Sequence, residues 1–305
     1  MESCRKRDEV STGALVVELD VSEVGRPPRR TTITIQQSVS VVHRVPGKHA
    51  EAGAISDAKD PLANWKPTRS NVVLRRYSDS ATLKLLDRWL PDVHGRRILK
   101  TDLFDEAVGE GLYPALRDGG ATVAAVDLSE AVLRAARVRY PELDATRADL
   151  RALPHRDGTF DVVVSNSTLD HFRSRKDIEL ALAELHRVLL PGGHLAITLD
   201  NPVNPLVALR NVLPQAPMRR IGLVPYFVGA TCGPRALNSL LRSARFEIRD
   251  ARALMHFPRV LARPIASASQ VDPLVRFLLG FERLGRLPTR YATGQFVAVL
   301  AERPS

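Results

Sequence analysis

An α/β fold with a doubly wound, largely parallel sheet is predicted for the core of this chain, residues 97–200. Runs of β-type residues alternate there with runs of helical periodicity. The later β-type runs close on polar or acidic residues: Asp127, Asp149, Asn166 and Asp200. Phe160-Asp161-Val162-Val163-Val164 has the consecutive valines of a strand buried on both faces. In such a sheet the functional crevice lies outside the C-terminal ends of the strands.

Residues 1–71 have little helical periodicity. The β-type runs 14–19, 32–35 and 39–45 are broken by Arg26-Pro27-Pro28-Arg29-Arg30 and Val45-Pro46-Gly47-Lys48. We expect an extension of low order, or a small β appendage, ahead of a domain covering 72–305. Ser78 or Ser80 can cap a helix that runs to Leu90, with Leu83, Leu86 and Leu90 on one face and Pro91 as its stop. Tyr77 then stands just before the helix, where an aromatic ring could cover a bound nucleoside.

Ile98-Leu99 suits a buried strand. A loop containing Asp102, Asp105, Glu106, Gly109, Glu110 and Gly111 follows, then a short helix over 112–117 that Asp118-Gly119-Gly120 stops. Thr122-Val123-Ala124-Ala125-Val126 is the next strand and ends on Asp127. Ser129 is a good N-cap for a helix over 130–140, and 144–148 is a third strand running into Asp149-Leu150. After the valine-rich strand comes the polar segment Ser165-Asn166-Ser167-Thr168-Leu169-Asp170-His171-Phe172. A helix over 176–190 follows, stopped by Pro191-Gly192-Gly193, then a fifth strand over 194–199.

Beyond Asp200 the pattern loosens. Gly233-Pro234 opens a helix with Leu237, Leu240 and Leu241 inward. Phe246-Glu247-Ile248 begins a strand, and 295–300 is the last one. Residues 272–287 read as an amphipathic helix, with Leu274, Phe277, Leu278, Phe281 and Leu284 opposite Arg276, Arg283 and Arg286. That helix could touch an anionic membrane, but core packing is its expected role.

Composition excludes several classes. There is no apolar run of 18 residues, so no transmembrane helix is expected. MESCRKRDEV lacks an apolar stretch behind its basic residues, so no secretory leader is expected. Cys4 and Cys232 suggest neither a disulfide framework nor a zinc site, and a cytoplasmic location fits them. Residues 1–201 hold 29 basic and 29 acidic side chains, whereas 202–305 hold 15 arginines and 5 acids, so the net charge of +10 belongs to the C-terminal third. Such a surface attracts anions.

The loop after the first strand narrows the ligand class. It lacks G-x-G-x-x-G, and its carboxylates would repel a pyrophosphate. They suit a nucleoside bearing positive charge, such as S-adenosylmethionine (SAM), whose ribose Asp127 could bind through its hydroxyls. Asp149 could meet the adenine amino group, and Leu150 and Leu153 the ring face. Asp102, Asp105 and Glu106 could alternatively hold Mg²⁺, a lesser option. No His/Cys cluster supports a transition metal, and no metal is expected in the site.

The segments VDLSEAVLRAAR, ADLRALPHRDGTFDVVVSNSTLDHF and LAELHRVLLPGGHLAIT, in this order and spacing, make residues 97–200 resemble the class I SAM-dependent methyltransferases, in particular the small-molecule group called methyltransferase type 11. The resemblance implies a seven-stranded Rossmann-like sheet whose last strand is antiparallel, with SAM as cofactor. It places the cofactor contacts among Tyr77, Asp102, Glu106, Gly109, Gly111, Asp127, Leu128, Asp149, Leu150 and Asn166. One departure is plain. The family's loop has the form D-x-G-x-G-x-G directly after the first strand. Here Leu99 is followed by Lys100-Thr101-Asp102, and the loop is about four residues longer, counted back from Asp127.

Past the fourth strand, His171 is the candidate general base, with Asp170 to orient it or to bind substrate. Residues 206–232 and 258–290 are expected to form a lid over a hydrophobic, acid-bearing small molecule that is methylated on oxygen: a natural product, a quinone-like compound or a lipid-linked acceptor. An RNA methyltransferase using the basic C-terminal third, and a non-catalytic scaffold, are the alternatives. With aromatics at 5% and no RNA-binding module legible, nucleic acid is not the expected partner.

Overall fold

The computed structural model describes residues 67–213 and 229–305 apart from 269, together with Leu62 and two short strands near the N-terminus. Those strands, β1 (Val16–Leu19) and β2 (Thr31–Thr34), pair antiparallel within a unit formed by Met1–Gly47. The run 39–45 lies outside the described residues.

The main unit is built on a seven-stranded sheet: β3 (Arg97–Lys100), β4 (Thr122–Asp127), β5 (Asp144–Arg147), β6 (Phe160–Asn166), β7 (Leu189–Asp200), β8 (Glu247–Leu254) and β9 (Phe296–Glu302). Their order is β5-β4-β3-β6-β7-β9-β8. Every pair from β5 to β7 is parallel, and β9 runs antiparallel between β7 and β8, as the resemblance implies. The order reverses between β3 and β6, which opens a crevice at their C-terminal ends.

Strand alternation sorts the core into two layers. Leu99, Val163 and Ile197 pack with α5 (Arg175–Val188) and α7 (Pro234–Ser243) through Ile178, Leu182, Leu185, Leu237 and Leu241. Ile98, Val162, Val164 and Ala196 face the other way, onto α1 (Arg69–Trp89), α3 (Tyr113–Asp118) and α4 (Glu130–Arg139). Ser129 caps α4 as expected, its side chain accepting from the Val132 N–H. The remaining helices are α2 (Phe104–Val108), α6 (Pro205–Val212), α8 (Arg259–Ala268), α9 (Val271–Gly280) and α10 (Arg290–Thr293).

Four elements differ from expectation. The helix α1 begins at Arg69, not at Ser78 or Ser80, because Thr68 caps it by accepting the Asn71 N–H and because Val73, Leu74 and Tyr77 continue its buried stripe upstream. Strand β7 begins at Leu189 and runs through Pro191-Gly192-Gly193. Gly192, at φ +75°, donates to the Arg303 carbonyl, so the residues expected to break the chain are absorbed into the sheet edge. A single turn of helix, α2, forms within the acidic loop. The helix expected over 272–287 stops at Gly280 and continues as a 3-10 turn (Phe281–Arg286). Phe277, expected inside, is 55% exposed and packs edge-on against Phe257 and Phe281.

Candidate functional site

The C-terminal ends of β3, β4, β6 and β7 bring Lys100, Asp127, Asn166 and Asp200 to one edge of the sheet. At the tip of β4, each Asp127 oxygen has a backbone donor: Leu103 N–H at 3.0 Å on Oδ2 and Ser129 N–H at 2.8 Å on Oδ1. Burial, reinforced by Asp102, pushes this carboxyl up to about 6. The next side chain, Leu128, is 39% exposed.

Lys100 is wholly buried, a position that ordinarily disfavours a charged amine. It survives as a cation because its Nζ lies 2.8 Å from Glu106 Oε2 and also donates to the Asp102 carbonyl. Burial pulls its pKa down, but the nearby carboxylates outweigh that and the net shift is upward. The other Glu106 oxygen accepts the Leu112 and Tyr113 N–H groups at 2.9 and 3.1 Å, satisfying the start of α3. Gly111 closes over this arrangement at φ +66°. Glu106, counted as a cofactor contact from the sequence, is thus engaged by Lys100 and the start of α3, and Gly111, counted likewise, lies against Glu106. Gly109 meets only ordinary neighbours, Asp105 and Arg75.

The three acids considered for Mg²⁺ each have a partner within the protein. Asp105 pairs with Arg75, Glu106 with Lys100, and Asp102 Oδ1 accepts the Phe104 N–H. Among the described residues no group of three His, Cys, Asp or Glu side chains can hold a metal ion.

Three further sequence candidates are engaged within the protein. Asp149 is gripped by the Arg151 guanidinium at 2.7 Å, and Arg151 reaches Asp177 at 2.7 Å as well. Leu150 is buried in the core beside Leu153. Tyr77 lies inside α1, fully buried, and its hydroxyl donates to Glu282; burial and Glu282 both raise its pKa. That places the ring in the packing between α1, α8 and α9 rather than at the crevice mouth.

At the β6–β7 mouth, Asn166 Oδ1 accepts the Thr198 hydroxyl at 2.7 Å. Ser167 follows in the left-handed region (φ 54°), held by donating its N–H to Thr198. Asp170 is buried, and its Oδ2 accepts from the Ser167 hydroxyl and the Asp200 N–H, both at 3.1 Å. Its Oδ1 faces His171 Nε2 at 4.0 Å, and that imidazole is 46% exposed. Burial pushes the Asp170 carboxyl up to about 7; His171 opposes the shift and Asp200 adds to it. Asp200 is itself buried and paired with Arg210 at 2.7 Å. The structure thus places His171 4.0 Å from Asp170 and brings Asp200, with its partner Arg210, onto the same acid. Asp200 had a legible signal, an acid at a strand tip like Asp127. Arg210 had none, because its contact depends on α6 folding back.

Comparison with known proteins agrees with this architecture. Residues 105–197 match the family model described as a methyltransferase domain. A probable SAM-dependent methyltransferase of Mycolicibacterium smegmatis is 30% identical over 157 residues, which is 51% of this chain and 55% of that protein. The demethylmenaquinone methyltransferase of Thermus thermophilus is 33% identical over 168 residues, 48% of this chain and 74% of that one. The chain thus spans only about half the length of the mycobacterial relative. A crystal structure of a SAM-dependent methyltransferase from Mesorhizobium loti superposes with a TM-score of 0.51 at 22% identity, over 74% of this chain and 100% of that one, a likeness of fold.

Proposed function

The chain belongs to the class I SAM-dependent methyltransferases, and from that membership we propose that it methylates an oxygen of a hydrophobic small molecule. SAM, the cofactor that membership implies, would supply an electrophilic methyl group whose bonding electron pair leaves on sulfur. The observation that carries the reading is Asp127. Its carboxylate is fixed at a strand tip by two N–H donors, yet each oxygen keeps a lone pair for a ribose hydroxyl. Leu128 offers an exposed apolar surface beside it for the adenine. The acids gathered around the β3 loop, Asp79, Asp102, Asp105, Glu106 and Glu110, outnumber Arg75 and Lys100 and suit a cationic ligand.

His171 takes the acceptor's hydroxyl proton as the new oxygen–carbon bond forms. Asp170, poised near neutrality, orients the imidazole and shares the charge that develops there. The ends of β7 and β8 both pair with Phe296, so α6 and α8 start from the same sheet edge as the site. Leu206, Leu209 and Val212 of α6, and Leu261 and Ile265 of α8, are exposed. This supports a lid for an apolar acceptor, in keeping with the demethylmenaquinone named for the Thermus relative. Among the described residues no helix is long and apolar enough to cross a membrane.

A second, non-catalytic reading is favoured by one observation: the close approach that Gly111 permits is taken up by Glu106 and not left for a ligand. Calorimetric titration of S-adenosylhomocysteine separates the two. The wild type is expected to bind at micromolar strength, and Asp127→Ala to lose at least tenfold. A folded wild type that binds nothing would leave the scaffold reading.

A further inference from the structure

Strand β3 ends on a buried cation, Lys100. This cation consumes Glu106, whose oxygens are divided between Lys100 and the start of α3. Asp105 is likewise spent on Arg75, and Asp102 receives the Phe104 N–H. The acids that sequence reading assigned to the ligand are therefore largely committed within the protein.

A further acid, Asp79, comes from outside the loop. It is 6% exposed, and among the described residues its Oδ1 is buried without a hydrogen-bond partner. A buried carboxyl oxygen without a donor favours the neutral acid unless a cation comes to it. Its place in the fold supplies the direction. Arg75, Asp79 and Thr82 recur at helical spacing on α1. Arg75 reaches Asp105 and lies against Gly109 in the loop, while Thr82 lines a cleft with Val164, Asn166 and Thr198. Asp79 thus sits between the loop and the end of β6, over the point where the strand order reverses.

We infer that Asp79 receives the ammonium group at the amino-acid end of SAM. The inference rests on the methyltransferase reading above. The charged neighbours of Asp79 are Arg75 on its own helix, Lys100 at the end of β3, and Glu106 and Glu110 in the loop. Burial dominates among them and pushes Asp79 up to about 7. An arriving ammonium favours the ionised carboxylate, so binding near neutral pH releases a proton.

The test compares two ligands by calorimetry. S-adenosylhomocysteine keeps the ammonium, and 5′-methylthioadenosine lacks the whole amino-acid end. Asp79→Asn is expected to weaken S-adenosylhomocysteine tenfold or more and to leave methylthioadenosine within twofold. Equal losses for both ligands, or no loss for either, overturn the assignment. The wild type, titrated at pH 7 in buffers of different ionisation enthalpy, should release protons with S-adenosylhomocysteine and not with methylthioadenosine. Absence of that release overturns the assignment even if Asp79→Asn does not fold. A wild type that binds neither ligand removes the methyltransferase reading itself, an outcome separate from a wild type that binds both while Asp79→Asn behaves identically.

Discussion

Gly111 lies so close to Glu106 that a β-carbon built on the glycine would stand 2.4 Å from the glutamate's Cδ. The backbone there is also left-handed, at φ +66°. Two independent constraints therefore demand glycine. Replacement by alanine would displace a carboxylate that holds both Lys100 and the start of α3. We expect Gly111→Ala to cost about 2–4 kcal/mol, a range reached when backbone strain and a broken buried network coincide. Thermal or denaturant melting measures it, and a variant within about 0.5 kcal/mol of wild type would show that the loop relaxes freely.

The Lys100–Glu106 pair makes a second, sharper prediction. Both side chains are almost wholly buried, so removing one leaves an uncompensated charge. Lys100→Met alone should destabilise by about 3–5 kcal/mol. Adding Glu106→Gln should restore part of that loss, because the pair's main cost is desolvation. A double-mutant cycle in urea gives the coupling. Additive losses would mean that the two charges are solvated independently.

These two residues also mark the limit of what the sequence reveals. The sheet was legible because its signals are local: the valines of β6, the Ser129 cap on α4, and Pro234 opening α7. The Asp170–His171 neighbourhood was legible because the two are adjacent in the chain. The fate of the acidic loop was not. Whether Glu106 faces a ligand or Lys100 depends on the burial of a lysine at a strand end, which periodicity does not encode. Tyr77 turned inward for a similar reason, since its partner Glu282 comes from the far end of the chain. Asp79 acquires its meaning only when α1 is laid across the β3–β6 crevice.

Stability should depend on pH in a direction that the buried acids fix. Asp170 and Asp79 are pushed from 3.8 to about 7, and Asp127 to about 6, burial being the largest cause in each. A carboxyl raised on folding has its stabilising contribution intact below pH 4 and loses it as pH climbs through the folded value. The unfolded chain sheds its proton first, and the folded protein does not. Wild-type stability should therefore fall between about pH 4 and 7 on account of these groups. Asp170→Asn is neutral in both states and removes one share of that slope. It should gain on the wild type by about 1–4 kcal/mol from pH 4 to pH 8, the upper figure being three pKa units. Loss of the Ser167 and Asp200 contacts adds an offset that does not vary with pH, so the slope of the difference is the quantity to measure. A flat difference would mean that Asp170 is ionised throughout.

His171 carries the prediction for the chemical step. Its imidazole is accessible to an acceptor, while its neighbour Asp170 is buried and anchored by Ser167 and Asp200. A base placed this way acts when the hydroxyl is deprotonated and makes no contact with the adenosine. His171→Ala should therefore lower kcat by about 10²–10⁴-fold, the range for general-base catalysis, and leave S-adenosylhomocysteine affinity within twofold. His171→Gln keeps the side chain polar and of similar length but cannot accept the proton, so it should fall as far as alanine. Full activity in the glutamine variant would reduce His171 to a hydrogen-bonding contact for the acceptor. Full activity in both would leave alignment of acceptor and methyl group as the source of the rate. The pH profile separates these cases: wild-type kcat should rise with pH through the ionisation of the base, and that limb should vanish in His171→Ala.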